Sequence, residues 1–122
     1  MGKNNLVTGK IGENLSASYL IDHGFEIINR NFYSRWGEID LIAKKDNKVY
    51  FFEVKTRIGT DKGQPYEAVN YYKLIGLKRA INYYLLKNKL NDCKLSLEII
   101  SVELNSDKSL KKLKIYQGPE MR

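Results

Sequence analysis

Apolar residues at Ile11, Leu15 and Tyr19, with Ala17, Leu20 and Ile21 widening the stripe, recur at helical spacing over residues 9–23. Gly24 supplies the stop, and His23 just before it suits a cap on the last turn. Glu13 falls in line with Ala17 and Leu20, at the edge of the buried stripe, where a first-turn carboxylate also complements the helix dipole. The period then drops to two. "FEIINRNFYS" sets Phe25, Ile27 and Asn29 on one side of a strand, and Arg35 to Gly37 turn the chain into strands over 38–43 and 48–56. "RIGTDKGQ" reads as a polar loop, and Pro65 suits the first turn of a helix over 65–88. That helix is apolar and aromatic around most of its circumference, as a helix packed on a sheet should be. Its Gly76 costs about 1 kcal/mol relative to Ala and points to close packing. "KLSLEIISVEL" is a further strand. "NSDKS" then turns into "LKKLKIY", an edge strand whose lysines resist edge-to-edge association. The order α-β-β-β-α-β-β predicts one α/β domain over residues 1–122, with a mixed sheet flanked by helices.

The hairpin "GEIDLIAKKDNKVYFFEVKTR" breaks its own pattern by carrying Glu38, Asp40, Glu53 and Lys55 among strongly apolar residues. Asp46 and Asn47 tolerate the positive φ of a two-residue turn. Folding there sets Ile42 opposite Phe51, Asp40 opposite Glu53 and Glu38 opposite Lys55. A four-residue loop keeps this register, whereas a three-residue loop throws Asp40 and Glu53 onto opposite faces. In the first register one face collects the four charged residues with Ile42, Val49 and Phe51. The other collects Ile39, Leu41, Ala43, Tyr50, Phe52 and Val54. Two carboxylates about 5 Å apart repel by about 3 kcal/mol at an effective dielectric near 20. Protonation of one acid, a bridging Lys55 or a divalent cation each relieves this, and Mg²⁺ or Mn²⁺ favours such oxygen ligands. The plainer reading is a set of exposed cross-strand ion pairs, each contributing a fraction of a kcal/mol. The apolar neighbours on both faces weigh against it.

Composition narrows the classes. The chain has 122 residues, enough for its own core, and 43% of them are apolar. No apolar run is long enough to span a membrane and the start lacks a signal-peptide core, so a cytoplasmic protein is expected. Cys93 alone forms no internal disulfide, and no Cys or His partners point to zinc. A net charge of +7 favours an anionic partner, nucleic acid first. "KKLK" at 111–114 is the densest basic cluster, and it also suits the wet side of a terminal strand. The tyrosine pairs Tyr71-Tyr72 and Tyr83-Tyr84 suit packing, or stacking on bases.

"GKIGENLSASYL", "HGFEIINRNF", "GEIDLIA", "VYFFEVKTR" and "PYEAVNYYKLIGLKRAINYYL" together resemble the YraN family of small bacterial proteins, over about Gly9 to Val102. That family is in turn similar to the PD-(D/E)xK nucleases, in particular archaeal Holliday-junction resolvases. The resemblance implies an α-β-β-β-α-β restriction-endonuclease-like core, here with an extra C-terminal edge strand. It implies that Asp40, Glu53 and Lys55 are catalytic, with Glu13 as an additional acid. It further implies Mg²⁺ or Mn²⁺ held by Glu13, Asp40, Glu53 and the Val54 carbonyl. Glu38, Arg57 and Lys73 are placed on the nucleic-acid side, with Lys73 reaching phosphate and Glu38 pairing with Lys55 or Arg57. The implied partner is DNA, including branched DNA, and a homodimer follows by analogy with the resolvases. Two departures stand out: Ile39 occupies the position of the superfamily's proline, and Ser96-Leu97-Glu98 stands where relatives often carry Arg-Phe-Asp. The expected function is therefore metal-assisted phosphodiester hydrolysis. A non-catalytic nucleic-acid-binding adaptor on the same fold is the alternative, and a protein-interaction module using the tyrosine-rich helix is a third reading.

Overall fold

A computed structural model of the chain describes residues 2–59, 71–90 and 92–119, with only the backbone of 2–5 and 71–72. The element order is the one read from the sequence: α1 (Gly2–Asp22), β1 (Glu26–Ser34), β2 (Gly37–Lys45), β3 (Lys48–Ile58), α2 (Tyr71–Lys87), β4 (Lys94–Leu104) and β5 (Leu110–Gln117). The expected start of the second helix at Pro65 and most of the preceding loop lie outside the described residues. The strands form one five-stranded sheet in the order β1-β2-β3-β4-β5, with β3 and β4 parallel and the other neighbours antiparallel. Parallel neighbours need a long crossover, and α2 lies within it. No described helix is long and apolar enough to cross a membrane.

The two helices cover opposite faces of the sheet. On one side, Ala17 and Leu20 of α1 pack on Leu41, Ala43, Phe52, Ile100, Val102 and Leu104. On the other, Leu77, Ala80, Ile81 and Tyr84 of α2 pack on Ile42, Val49, Phe51 and Leu97. Phe51 and Phe52 are fully buried on opposite faces, each contributing about 1.5–3 kcal/mol through burial. This double coverage is why β2 and β3 read as nearly continuous apolar runs.

The helix ends are closed by matching devices. After α1, Gly24 takes φ 89°, the Phe25 amide donates to the Leu20 carbonyl at 2.9 Å, and the Gly24 amide donates to Ile21 at 3.1 Å. This is the Schellman arrangement, and His23 Nδ1–H caps the Tyr19 carbonyl at 2.7 Å. After α2 the same pattern recurs with Lys89 at φ 57° and Leu90 bonding back to Leu85 at 2.9 Å. At the other end, α1 begins at Gly2 rather than near Gly9. In its added turns Leu6 and Val7 are exposed, so neither gives a pattern a buried position to reveal.

Two glycines let the helices approach the sheet closely. A Cβ on Gly12 would overlap the Thr56 side chain of β3, so only glycine lets α1 lie this close and deliver Glu13. A Cβ on Gly76 would sit 2.7 Å from the Trp36 carbonyl oxygen, which explains the mid-helix glycine and brings the start of α2 over the β1–β2 turn.

Candidate functional site

The β2–β3 turn is the two-residue turn expected, with Asp46 at φ 50° and Asn47 at φ 63°. Pairing runs from Lys45 opposite Lys48 to Leu41 opposite Phe52, which is the register that brings Asp40 to Glu53. At that step a side chain joins the ladder. The Val54 amide donates to Asp40 Oδ2 at 2.7 Å, tying the carboxylate to the backbone of β3.

On its other flank β2 reverses its pleat. Arg30 pairs with Leu41 on the α1 side of the sheet, whereas Phe32 pairs with Ile39 and both pack on the α2 side. Residues two apart on a strand ordinarily share a face. The reversal falls on Asn31 and Asp40, which lie between those pairs, and Asn31 takes φ 52°. Left-handed backbone is costly for most residues but accessible to Asn. Ile39 therefore leaves the face of Leu41 and Ala43 on which simple alternation puts it. Glu38 likewise does not oppose Lys55: its Oε2 accepts from Asn31 Nδ2 at 3.0 Å.

Asp40 and Glu53 are 8% and 4% exposed. The Asp40 carboxyl is pushed up to about 8, first by burial and then by the Glu53 charge and a hydrogen bond between the two acids; the Val54 amide opposes the shift. Glu53 Oε1 lies 3.5 Å from Lys73 Nζ and 3.9 Å from Lys55 Nζ, while its buried Oε2 has no hydrogen-bond partner among the described residues. Sequence reasoning assigned Lys73 to phosphate; in the structure it also reaches the central acid.

Glu13 forms a neighbouring cluster. Asn31 Nδ2 donates to Glu13 Oε2 at 2.9 Å as well as to Glu38, and Arg30 Nη2 stands 3.6 Å from Glu13 Oε1. Glu38 in turn contacts Tyr33, raising the phenol's pKa chiefly through its charge, and adds to the field on Asp40. The structure thus brings Asp40, Glu53, Lys55 and Lys73 together directly, with Glu13 attached through Asn31 and Glu38. As the side chains stand, no three Asp, Glu, His or Cys groups among the described residues close around one point. Val54 meets Asp40 through its backbone amide. Arg57 lies two residues beyond Lys55, opposite Glu103 on β4.

Asn31 and Arg30 were missed in the sequence. The available signal was a polar "NRN" inside an otherwise apolar strand. Ser96 and Glu98 bond to each other at 2.8 Å and pair with Tyr50 and Phe52. Their alternation places them on the opposite face from Glu53, so they stand apart from the carboxylate pair. A small cavity of about 80 Å³ opens beside the site, lined by Trp36, Gly37, Glu38, Lys73, Gly76 and Leu77. A larger one of about 670 Å³ lies at the hairpin end of the sheet, around Lys44, Val49, Leu90 and Cys93, away from the acids.

The donor set fits a hard divalent cation: two buried carboxylates, one with an oxygen lacking a hydrogen-bond partner, and lysines at the rim. Asp40 and Glu53 are the residues that would hold it.

Comparison with known proteins places the chain among relatives of similar size. It is 40% identical over 105 residues to a UPF0102 protein of Syntrophomonas wolfei, covering 86% of this chain and 91% of the relative. It is 39% identical over 106 residues to one of Clostridium tetani, covering 87% of each. A UPF0102 protein of Caldicellulosiruptor bescii is 47% identical over 77 residues, 63% of this chain and 65% of the relative. Residues 12–102 match the family described as "Uncharacterised protein family UPF0102", a stretch that contains α1 from Gly12, the carboxylate pair and α2. The chain belongs to the UPF0102 family.

Proposed function

We propose that this protein is a metal-dependent nuclease of the PD-(D/E)xK type, hydrolysing phosphodiester bonds in DNA. On this reading the α-β-β-β-α-β run is a restriction-endonuclease-like core and β5 an added edge strand. The observation that carries the proposal is the buried Asp40–Glu53 pair with Lys55 and Lys73 on Glu53, at the step where the β2–β3 ladder changes from backbone to side-chain bonding.

Mg²⁺ or Mn²⁺ held there supplies a Lewis acid that neutralises phosphate charge and makes water a better nucleophile. To hold such a cation Asp40 would have to be ionised, and its Val54 hydrogen bond keeps the carboxylate in place. Lys55 releases Glu53 to orient the attacking water or stabilise the charge on the transition state. Lys73, at the start of α2, is placed to receive a phosphate oxygen. Asn31 holds Glu13, the additional acid, beside the site together with Glu38. The net charge of +7 supports backbone contacts.

A second reading, a nucleic-acid-binding adaptor without catalysis, draws support from the ion pairs that Glu53 already makes with two lysines. One experiment separates the two. Mn²⁺ is titrated calorimetrically into the protein and into Asp40→Asn, followed by cleavage assays on linear, flapped and four-way-junction DNA. The nuclease reading expects binding that needs Asp40 and cleavage that needs both Asp40 and Lys55. DNA binding with no metal uptake, even beside uncleavable DNA, would establish the adaptor instead.

A further inference from the structure

We infer that the face of β4 and β5 on the α2 side of the sheet forms a phosphate track, leading from Lys55 to Lys112 and Lys114 at the sheet edge. It takes the nucleic-acid backbone next to the phosphate received at Lys73. The inference rests on the reading of nucleic acid as the ligand.

The placement follows from register and alternation. Leu113 and Ile115 of β5 pack in the cluster beneath α1, so Lys112, Lys114 and Tyr116 face the other way, the side of Glu53 and Lys55. Three rows then cross the sheet: Glu53–Ile99–Tyr116, Lys55–Ser101–Lys114 and Arg57–Glu103–Lys112. Neighbouring strands are about 4.8 Å apart, which sets Lys114 about 10 Å from Lys55 across the sheet. At one phosphate per ~3.4 Å of axis on each strand of a duplex, that step is about three nucleotides.

Charge and order along the track agree with this role. Lys112 and Lys114 are exposed, and no carboxylate among the described residues is within ion-pair distance of either. The acid within the third row, Glu103, is taken by Lys111 at 3.2 Å, next to the irregularity in the β4–β5 pairing between Glu103 and Leu104. Lys114 Nζ lies 5.3 Å from the Tyr116 ring centroid, which restrains the ammonium along the row. β5 is an edge strand, and the residues of α2 in the core pack on β2, β3 and Leu97 of β4 rather than on β5. Lys112 and Lys114 lie beyond the residues 12–102 matched to the family, and Lys55 lies within them.

The test is fluorescence anisotropy with a labelled 20-base-pair duplex in EDTA, over a series of salt concentrations. The proteins are the wild type, Lys112→Gln/Lys114→Gln, and Lys44→Gln/Lys94→Gln. The last pair removes the same charge at the hairpin end of the sheet. Losing two phosphate contacts lowers the slope of log affinity against log salt by about 1.8. That loss is expected in the β5 pair alone, with the melting temperature and Mn²⁺ affinity unchanged. Equal losses in both pairs would reduce the effect to net charge and overturn the track, as would unchanged slopes in both. A wild type that binds no DNA overturns the nucleic-acid reading together with the track, so the two failures are distinguishable.

Discussion

The Val54 amide and the Asp40 carboxylate are bonded at 2.7 Å, and this bond lets a buried acid stay in place beside another acid. It stabilises the charged form of Asp40 but does not outweigh burial and the Glu53 charge, which carry the group up to about 8. Without metal, Asp40 therefore keeps its proton at neutral pH.

Stability should then depend on pH in an unusual direction for a carboxylate. The folded state holds this proton up to about 8, whereas the unfolded chain releases it near the ordinary carboxylate value of 3.8. The folded state binds more protons between those values, so Asp40's contribution is complete below the lower one and is lost as pH rises through the upper one. The slope is up to about 1.4 kcal/mol per pH unit. In EDTA, the melting temperature should fall from pH 5 to pH 8. Asp40→Asn, which keeps an acceptor for Val54 and offers Glu53 a donor, should flatten that fall. A wild-type profile without slope across this window would show that Asp40 does not hold the proton. The same logic makes Mn²⁺ stabilise the protein more at pH 8 than at pH 6, since metal and proton compete for Asp40.

The two lysines on Glu53 should separate by assay. Lys55 comes from the same strand at 3.9 Å, and Lys73 comes from α2 at 3.5 Å and is more exposed. Lys55→Ala should abolish DNA cleavage, lowering kcat by at least a hundredfold, while circular dichroism and the melting temperature stay near wild type. Lys73→Ala should mainly raise KM. Full activity in folded Lys55→Ala would remove that residue from the mechanism.

The hairpin was legible because its turn chemistry is local: Asp46-Asn47 accepts positive φ at both positions and fixes the register of Ile42 opposite Phe51. With the register came the Asp40–Glu53 pair. The pleat reversal at Asn31 was not legible, since alternation assumes regular strands and one left-handed residue resets it for Ile39 and Glu38. The early turns of α1 were missed for a different reason. Leu6 and Val7 there are exposed, and periodicity reports burial before it reports helix. Glu13 entered through the family resemblance, since its helix position alone fits a dipole role, and its tie to Glu38 runs through a residue on a third element, a contact no spacing within one segment could predict.

Asn31 combines two roles that substitutions can separate. Its backbone needs the left-handed region, and its amide holds two carboxylates at 2.9 and 3.0 Å. Asn31→Gly keeps the first and loses the second; Asn31→Ala loses both. In urea denaturation, Asn31→Gly should lose about 1–3 kcal/mol, the cost of leaving partly buried acceptors without donors. Asn31→Ala should lose about 1 kcal/mol more, through left-handed strain. Equal losses in the two variants would mean that the backbone conformation at Asn31 costs Ala nothing.

Gly76→Ala sets two principles against each other. Helix propensity favours the alanine by about 1 kcal/mol in a helix interior. The added Cβ, however, meets the Trp36 carbonyl oxygen at 2.7 Å, a backbone atom in the turn joining β1 to β2. A flexible side chain could swing aside, but this oxygen moves only if the turn or α2 moves. Overpacking of this kind typically costs about 1–3 kcal/mol, so the clash should win and the variant should be destabilised by up to about 2 kcal/mol. The displacement has a second readout. Pushing the first turns of α2 off the sheet draws Lys73 away from Glu53 and should weaken its hold on phosphate. Gly76→Ala should therefore share the raised KM of Lys73→Ala. A variant that is instead stabilised by the full propensity gain would show that the helix is not seated on the turn.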